Sequence, residues 1–258
     1  MISYMPLKRM LPVLVVAALG ATTAKADETV MLKAGFMSLN ASGHFTSSAN
    51  GVTGTPVDVS GTINLKRSNN VTLEGALQWG DFRLGLNYFP LDFSGTSVLN
   101  TAVNFNGLTY NAGQTVDARL KAKVYDGSLT WYLVNMDDAP SRLQFGPEVA
   151  IKAINADVTM HNVTAGFSST HSATIPIPTV GARARVALAD FVGLTARAGY
   201  LGYAGNRFLD AEAQIEFSPL PTLGIHAGYR YIDVKFDTSG LAVSTRLQGP
   251  FVGGFFRF

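Results

Sequence analysis

The sequence predicts an all-β fold: a transmembrane antiparallel up-and-down β-barrel of ten strands, preceded by a cleaved signal peptide. Three observations point there. The chain opens on an export signal, its apolar and polar residues alternate in segments of about ten, and it ends on alternating aromatic residues. Hydrophobic residues are 47% and charged residues 15%, against about 25% charged in a soluble domain. That much apolar material excludes disorder, and the scarcity of charge excludes a soluble coiled coil. Cysteine is absent, so there is no disulfide framework, thiolate zinc site or lipoprotein anchor. A net charge of +2 without a basic run gives no pull toward nucleic acid.

Residues 1–26 read as the signal peptide. Lys8 and Arg9 form a positive n-region, and Met10 to Ala21 is an apolar run too short for a span of roughly 20 residues. Ala24-Lys25-Ala26 is an A-x-A cleavage signal, so the mature barrel is expected over 27–258. Beyond Asp27 no apolar run reaches the roughly 18 residues of a helical span. A closed barrel is the other structure that satisfies its backbone in lipid.

Strands are expected near 29–43, 69–79, 82–94, 116–133, 142–161, 173–188, 191–203, 207–217, 222–237 and 241–258. The alternation is plain in several. Arg183 and Arg185 alternate with Ala182, Ala184 and Val186, and Asp210, Glu212, Gln214 and Glu216 with Leu209, Ala211, Ala213 and Ile215. Eight strands is the alternative, if the first strand or the pair around 191–217 is miscounted. An even count puts both termini on the periplasmic side. The long segments 44–68 and 95–115, and residues 162–172, then become outer loops.

The chain finishes Gly249-Pro250-Phe251-Val252-Gly253-Gly254-Phe255-Phe256-Arg257-Phe258. Phe256 and Phe258 are the expected assembly signal for the barrel-assembly machinery. This ending, with Gly228-Tyr229-Arg230-Tyr231-Ile232-Asp233, resembles a family of small bacterial outer-membrane barrels. The mature chain as a whole resembles, more loosely, the OmpA/OmpW-like barrel group. The resemblance implies the fold and a Gram-negative outer-membrane location, and its OmpW-like part implies a hydrophobic cavity. It does not fix an activity, because one architecture hosts unrelated functions.

Carrying the inward parity along each strand gives two layers. The periplasmic half holds Lys33, Arg83, Lys152, Arg183, Arg185, Arg197, Arg230 and Arg257 with the acids Glu74, Glu148, Asp210, Glu212 and Glu216. In a lumen barely wider than its side chains, Arg183, Arg185 and Arg197 are expected to pair with Asp210, Glu212 and Glu216. The result is either a structural plug or a gated path. Above it the inward positions turn apolar at Phe89, Leu91, Phe93, Val124, Ile154, Val158, Ile232, Val234 and Phe236. They predict an outward-opening apolar chamber that binds or passes small hydrophobic molecules, or else a packed extension that makes the chain a structural or adhesive barrel. At the same height Arg119, Lys121 and Lys123 point outward, toward lipopolysaccharide and membrane lipid.

An enzyme is not expected. An omptin-type protease needs acids and a histidine at the outer rim, and Asp92, Asp157, His161, His171, Asp233 and Asp237 are scattered there. A lipid A-modifying enzyme needs Ser and His on the lipid face, whereas His226 projects inward beside Arg230. His44, His161 and His171 lack metal spacing, and no cofactor or metal is expected.

Overall fold

The structure, a computed structural model, describes residues 30–136, 142–238 and 240–258. The expected signal peptide lies outside the described residues. Ten long strands follow one another: β1 (Val30–Ser47), β2 (Ser68–Trp79), β3 (Phe82–Val98), β4 (Thr115–Trp131), β5 (Arg142–Asn162), β6 (Phe167–Ala189), β7 (Val192–Tyr203), β8 (Asn206–Leu220), β9 (Leu223–Thr238) and β10 (Leu241–Arg257). Each pairs antiparallel with the next, and β10 returns to β1 through Met31↔Arg257 to Ser47↔Leu241. The sheet closes on itself and the count is ten, not eight.

Alternation sets which face is which. Leu32, Phe36, Leu84, Leu86, Leu129, Ile151, Leu194, Ile215 and Val252 form an exposed apolar belt, while their sequence neighbours are buried or half-buried. Such a belt is stable only against hydrocarbon. Near the periplasmic turns the belt becomes aromatic: Phe82 stacks between Trp79 and Trp131, each at 6.2 Å between centroids. Phe256 and Phe258 lie exposed on the same face beside the β1–β10 seam.

The strands outrun the bilayer on the outer side, and by unequal amounts. β5 and β6 stay paired up to Asn162↔Phe167, so most of the loop expected over 162–172 is strand. Ser168, Ser169 and Thr170 read as loop residues in sequence, but the ladder to β5 carries them as strand, and β-branched Thr tolerates the pleat. β7 and β8 turn back at residues 204–205, and the β6–β7 ladder begins only at Val180↔Tyr200. Phe167–Thr179 of β6 is therefore laddered to β5 alone among the described strands.

The long outer segments do not stand away from the barrel. Within residues 48–67, Val57–Asp58 pairs with Phe45 and His44 of β1. Within residues 99–114, Val103–Phe105 and Leu108–Tyr110 form a hairpin. Its turn is Asn106-Gly107, at φ 48° and 80°, the left-handed pair that a two-residue hairpin demands. Both segments fold back over the barrel mouth.

Candidate functional site: a lumen closed in two layers

The lower layer is a network of ion pairs. Glu216 accepts from Lys33 at 2.7 Å, Arg257 at 3.1 Å and Arg185 at 3.4 Å. Asp210 takes Arg230 in a two-point contact at 3.0 and 2.7 Å, and Lys152 at 2.9 Å. Glu148 holds Arg183 at 3.0 Å and the Thr130 hydroxyl at 2.8 Å. Arg83 reaches Glu74 at 3.3 Å. Burial in a narrow lumen is tolerable for these charges because each has an opposite charge at hydrogen-bond range.

The pairing differs from the sequence expectation. Arg185 does meet Glu216, and Arg197 comes within 3.7 Å of Glu212. Arg183 instead turns to β5, because Gly181↔Glu148 and Arg183↔Gly146 make Glu148 its diagonal neighbour. Asp210 is taken by Arg230, its diagonal neighbour on β9, and by Lys152, which reaches across the lumen from β5. One residue was missed. Asp126 on β4 binds Lys152 at 2.7 Å and Arg197 at 3.1 Å, and its side chain is fully buried. It has the parity of Val124, so the inward reading of β4 needed only to continue two residues further down.

His226 points inward, against the rings of Phe251 and Phe255 at 5.7 and 6.4 Å. Neither ring nitrogen has a hydrogen-bond partner in the protein. It borders a cavity of about 30 Å³ between the two layers, shared with Lys33, Glu74, Phe89 and Arg230. At roughly 10–15 Å³ per water, that holds about two.

The upper layer is apolar and packed. Phe89, Leu91, Phe93, Val124 and Ile232 are buried, and Ile154, Val158, Val234 and Phe236 pack against the same cluster. Among the described residues the expected chamber is filled. Val57, Val59 and Ile63 from residues 48–67, and Leu99, Val103, Phe105 and Tyr110 from residues 99–114, fill it from above. A void of several hundred Å³, as ligand cavities require, is replaced by the chain's own side chains. Sequence parity located the inward apolar residues. It could not reveal that the short apolar alternations inside the Gly-, Ser- and Asn-rich loops, Val57 with Val59 and Val103 with Phe105, fold back into the same space.

Polar contacts fix the filling. The Tyr110 hydroxyl donates to the Met160 carbonyl at 2.9 Å, and the Asn106 amide donates to Ser169 Oγ at 3.0 Å and the Thr170 carbonyl at 3.2 Å. The Asp58 carboxylate accepts from the Ser60 and Gly61 amides at 2.8 and 2.6 Å, closing a tight turn beneath Ile63.

On the outer wall Arg119, Lys121 and Lys123 face away from the barrel. Arg119 makes a two-point contact with Asp92 at 3.0 and 2.6 Å, which holds the Asp92 carboxyl below its ordinary value of 3.8. Lys121 stands in register between Asp92 and Asp157. The remaining rim acids are separate: Asp157 accepts from Ser172 at 2.6 Å and Asp233 from Arg207 at 3.0 Å.

The backbone is similar to that of the outer membrane protease OmpT from Escherichia coli, with a TM-score of 0.54 at 11% identity over 89% of this chain and 96% of that one. Weaker likenesses are the translocator domain of autotransporter NalP from Neisseria meningitidis (TM-score 0.45, 12% identity, 90% of each chain) and Neisserial surface protein A (0.37, 10%, 89% and 97%). No family model and no curated protein matches the chain. The OmpT likeness is one of fold. Together with the apolar belt it makes the chain a β-barrel of the Gram-negative outer membrane.

Proposed function

We propose that this outer-membrane barrel is closed and non-conducting, and serves as a structural platform that presents its outer wall and loops to the cell exterior. The observation that carries the reading is the filling of the upper lumen by Val57, Ile63, Phe105 and Tyr110. Beneath it the ion-pair layer is a second barrier in series. A small hydrophobic molecule would have to displace the chain's own core before entering. The reading is non-enzymatic, and the pairing of Asp92, Asp157 and Asp233 with separate local partners supports it. General acid–base work needs such groups convergent on one reacting atom.

Planar-bilayer recording of the purified barrel is the test. Flat baseline current is the expected result, and steady open-state conductance overturns the proposal. Ile154→Arg with Val234→Asp should leave sensitivity to hydrophobic compounds unchanged. A change there would restore the transport reading.

A further inference from the structure

The lipid-facing belt has a recess on one side. In one cross-strand row Ala184, Ala196 and Ala213 are partners on β6, β7 and β8, and in the next row Ala182, Ala198 and Ala211 are. Each row ends on bulk: the first runs from Phe145 to Tyr229, the second from Pro147 to Tyr231. The rows below and above carry larger side chains again, Leu194 and Ile215 on the periplasmic side, Tyr200 and Leu209 on the outer side. The result is a basin of about 500 Å³ walled on four sides.

Its position in the bilayer matters. A strand rises about 3.3 Å per residue. Arg207 lies four residues above Ala211 along β8, so roughly 13 Å up the strand, at the height where the belt gives way to polar residues. Arg207 is the register partner of Lys235, and Arg246 covers the Tyr231 ring at 5.7 Å. These three outward cations face Asp233 and, one step further out, Asp237. The basin thus lies within the apolar belt, about four residues below a group of three cations and two acids, of which Arg207 is already bonded to Asp233 at 3.0 Å.

We propose that the basin seats an acyl chain of a phosphate-bearing outer-leaflet lipid whose phosphate is held by Arg207, Lys235 and Arg246. Within hydrocarbon no water is displaced, so the floor of methyl groups offers an acyl chain close packing contact, without side-chain entropy to lose. The cations supply the attraction that a purely apolar recess lacks. The site is on the outside of the barrel, so it stands whether or not the lumen conducts.

The test uses the full barrel purified from outer membranes, delipidated in nonionic detergent and loaded with diphosphoryl lipid A or with its dephosphorylated form. Retained lipid is counted by native mass spectrometry. One diphosphoryl lipid A per barrel is expected. Ala198→Phe with Ala211→Phe should reduce retention of both lipids at least tenfold. Lys235→Gln with Arg246→Gln should cost about fivefold per cation for the phosphorylated lipid alone, and Arg207→Gln less, because Asp233 already meets its charge. Val252→Phe, elsewhere on the belt, should change nothing. Heat-dependent gel mobility verifies folding, and Ala198→Leu is the milder filling should the paired Phe fail to fold. Unchanged retention in the filled variant overturns the proposal, as does equal retention of the two lipids. A dimer that the filled variant breaks overturns it as well, since the basin would then hold a second copy.

Discussion

The Arg230 guanidinium lies 4.1 Å from the centroid of the Phe89 ring while its Nε and Nη2 donate to Asp210 at 3.0 and 2.7 Å. One side chain thereby ties the charged layer to the apolar one. The cation–π face is apolar enough to roof the ion pairs, and the fork of the guanidinium satisfies the carboxylate below. Arg230→Met should destabilise the barrel by roughly 3–5 kcal/mol, because Asp210 is left buried with Lys152 as its remaining partner. Adding Asp210→Leu should recover part of that loss. Urea titration in detergent, read as a double-mutant cycle, checks both.

The filling of the upper lumen predicts an accessibility pattern. The chain has no cysteine, so Leu91→Cys is a unique probe of the core. It should resist a membrane-impermeant maleimide in the otherwise unchanged barrel. Adding Phe105→Ser and Tyr110→Ser should make it react. Labelling of Leu91→Cys alone would mean that the mouth is open.

Gly95 lies under the returning segment of residues 48–67, where a Cβ would overlap the carbonyl oxygens of Ile63 and Asn64. Gly95→Val should therefore lift this segment while leaving the β3–β4 ladder intact. The same thiol probe at Leu91 reports it. Ion conductance should stay low in this variant, since the charged layer still closes the lumen.

Hydrogen bonds, that from Gly61 first, hold the Asp58 carboxyl below its ordinary value of 3.8. A depressed folded-state value means that the turn's contribution is complete above 3.8 and is lost as pH falls through the folded value. Pepsin should cut residues 48–67 increasingly as pH falls below the ordinary value of 3.8. Asp58→Ala should be cut above that value as well. Cutting of the wild type that does not depend on pH would detach the turn from Asp58.

Lys123 should carry more of any lipopolysaccharide contact than Arg119, whose charge is met by Asp92, or Lys121, which stands between Asp92 and Asp157. Lys123→Ala should lower co-purified lipopolysaccharide about fivefold, and Arg119→Ala or Lys121→Ala less. Equal losses from all three would show that the Asp92 contact does not hold in the membrane.

The barrel was legible because the period-2 pattern is imposed twice, by lipid outside and by a narrow lumen inside. Arg183, Arg197 and Arg230 could be assigned inward from parity alone, and they are buried there. Their partners could not be assigned the same way. Arg183 choosing Glu148 over Glu212 depends on register between β5 and β6, and stagger leaves little trace in one strand's sequence. The filled mouth was hidden for a different reason. Val103 and Phe105, and Leu108 and Tyr110, do alternate around Asn106-Gly107, so a short hairpin was legible there. That it folds back into the mouth was not, because a three-residue strand carries no sign of where its apolar face docks.

The overhang of β6 above β7 has a consequence for life in a crowded membrane. Adjacent residues of an antiparallel strand send their backbone groups to opposite neighbours. Proline, having no N–H, is tolerated where that side pairs with nothing. Pro176 and Pro178, opposite Ala153 and Ile151 of β5, therefore turn their nitrogens to the uncovered flank. On the same parity, the Asn106 amide already occupies the Thr170 carbonyl. An approaching strand meets missing donors at one end of this flank and a spent acceptor at the other. The tallest part of the wall is thus poorly suited to zip onto a neighbouring barrel, and replacing both prolines with Val should show itself first as aggregation rather than as lost stability.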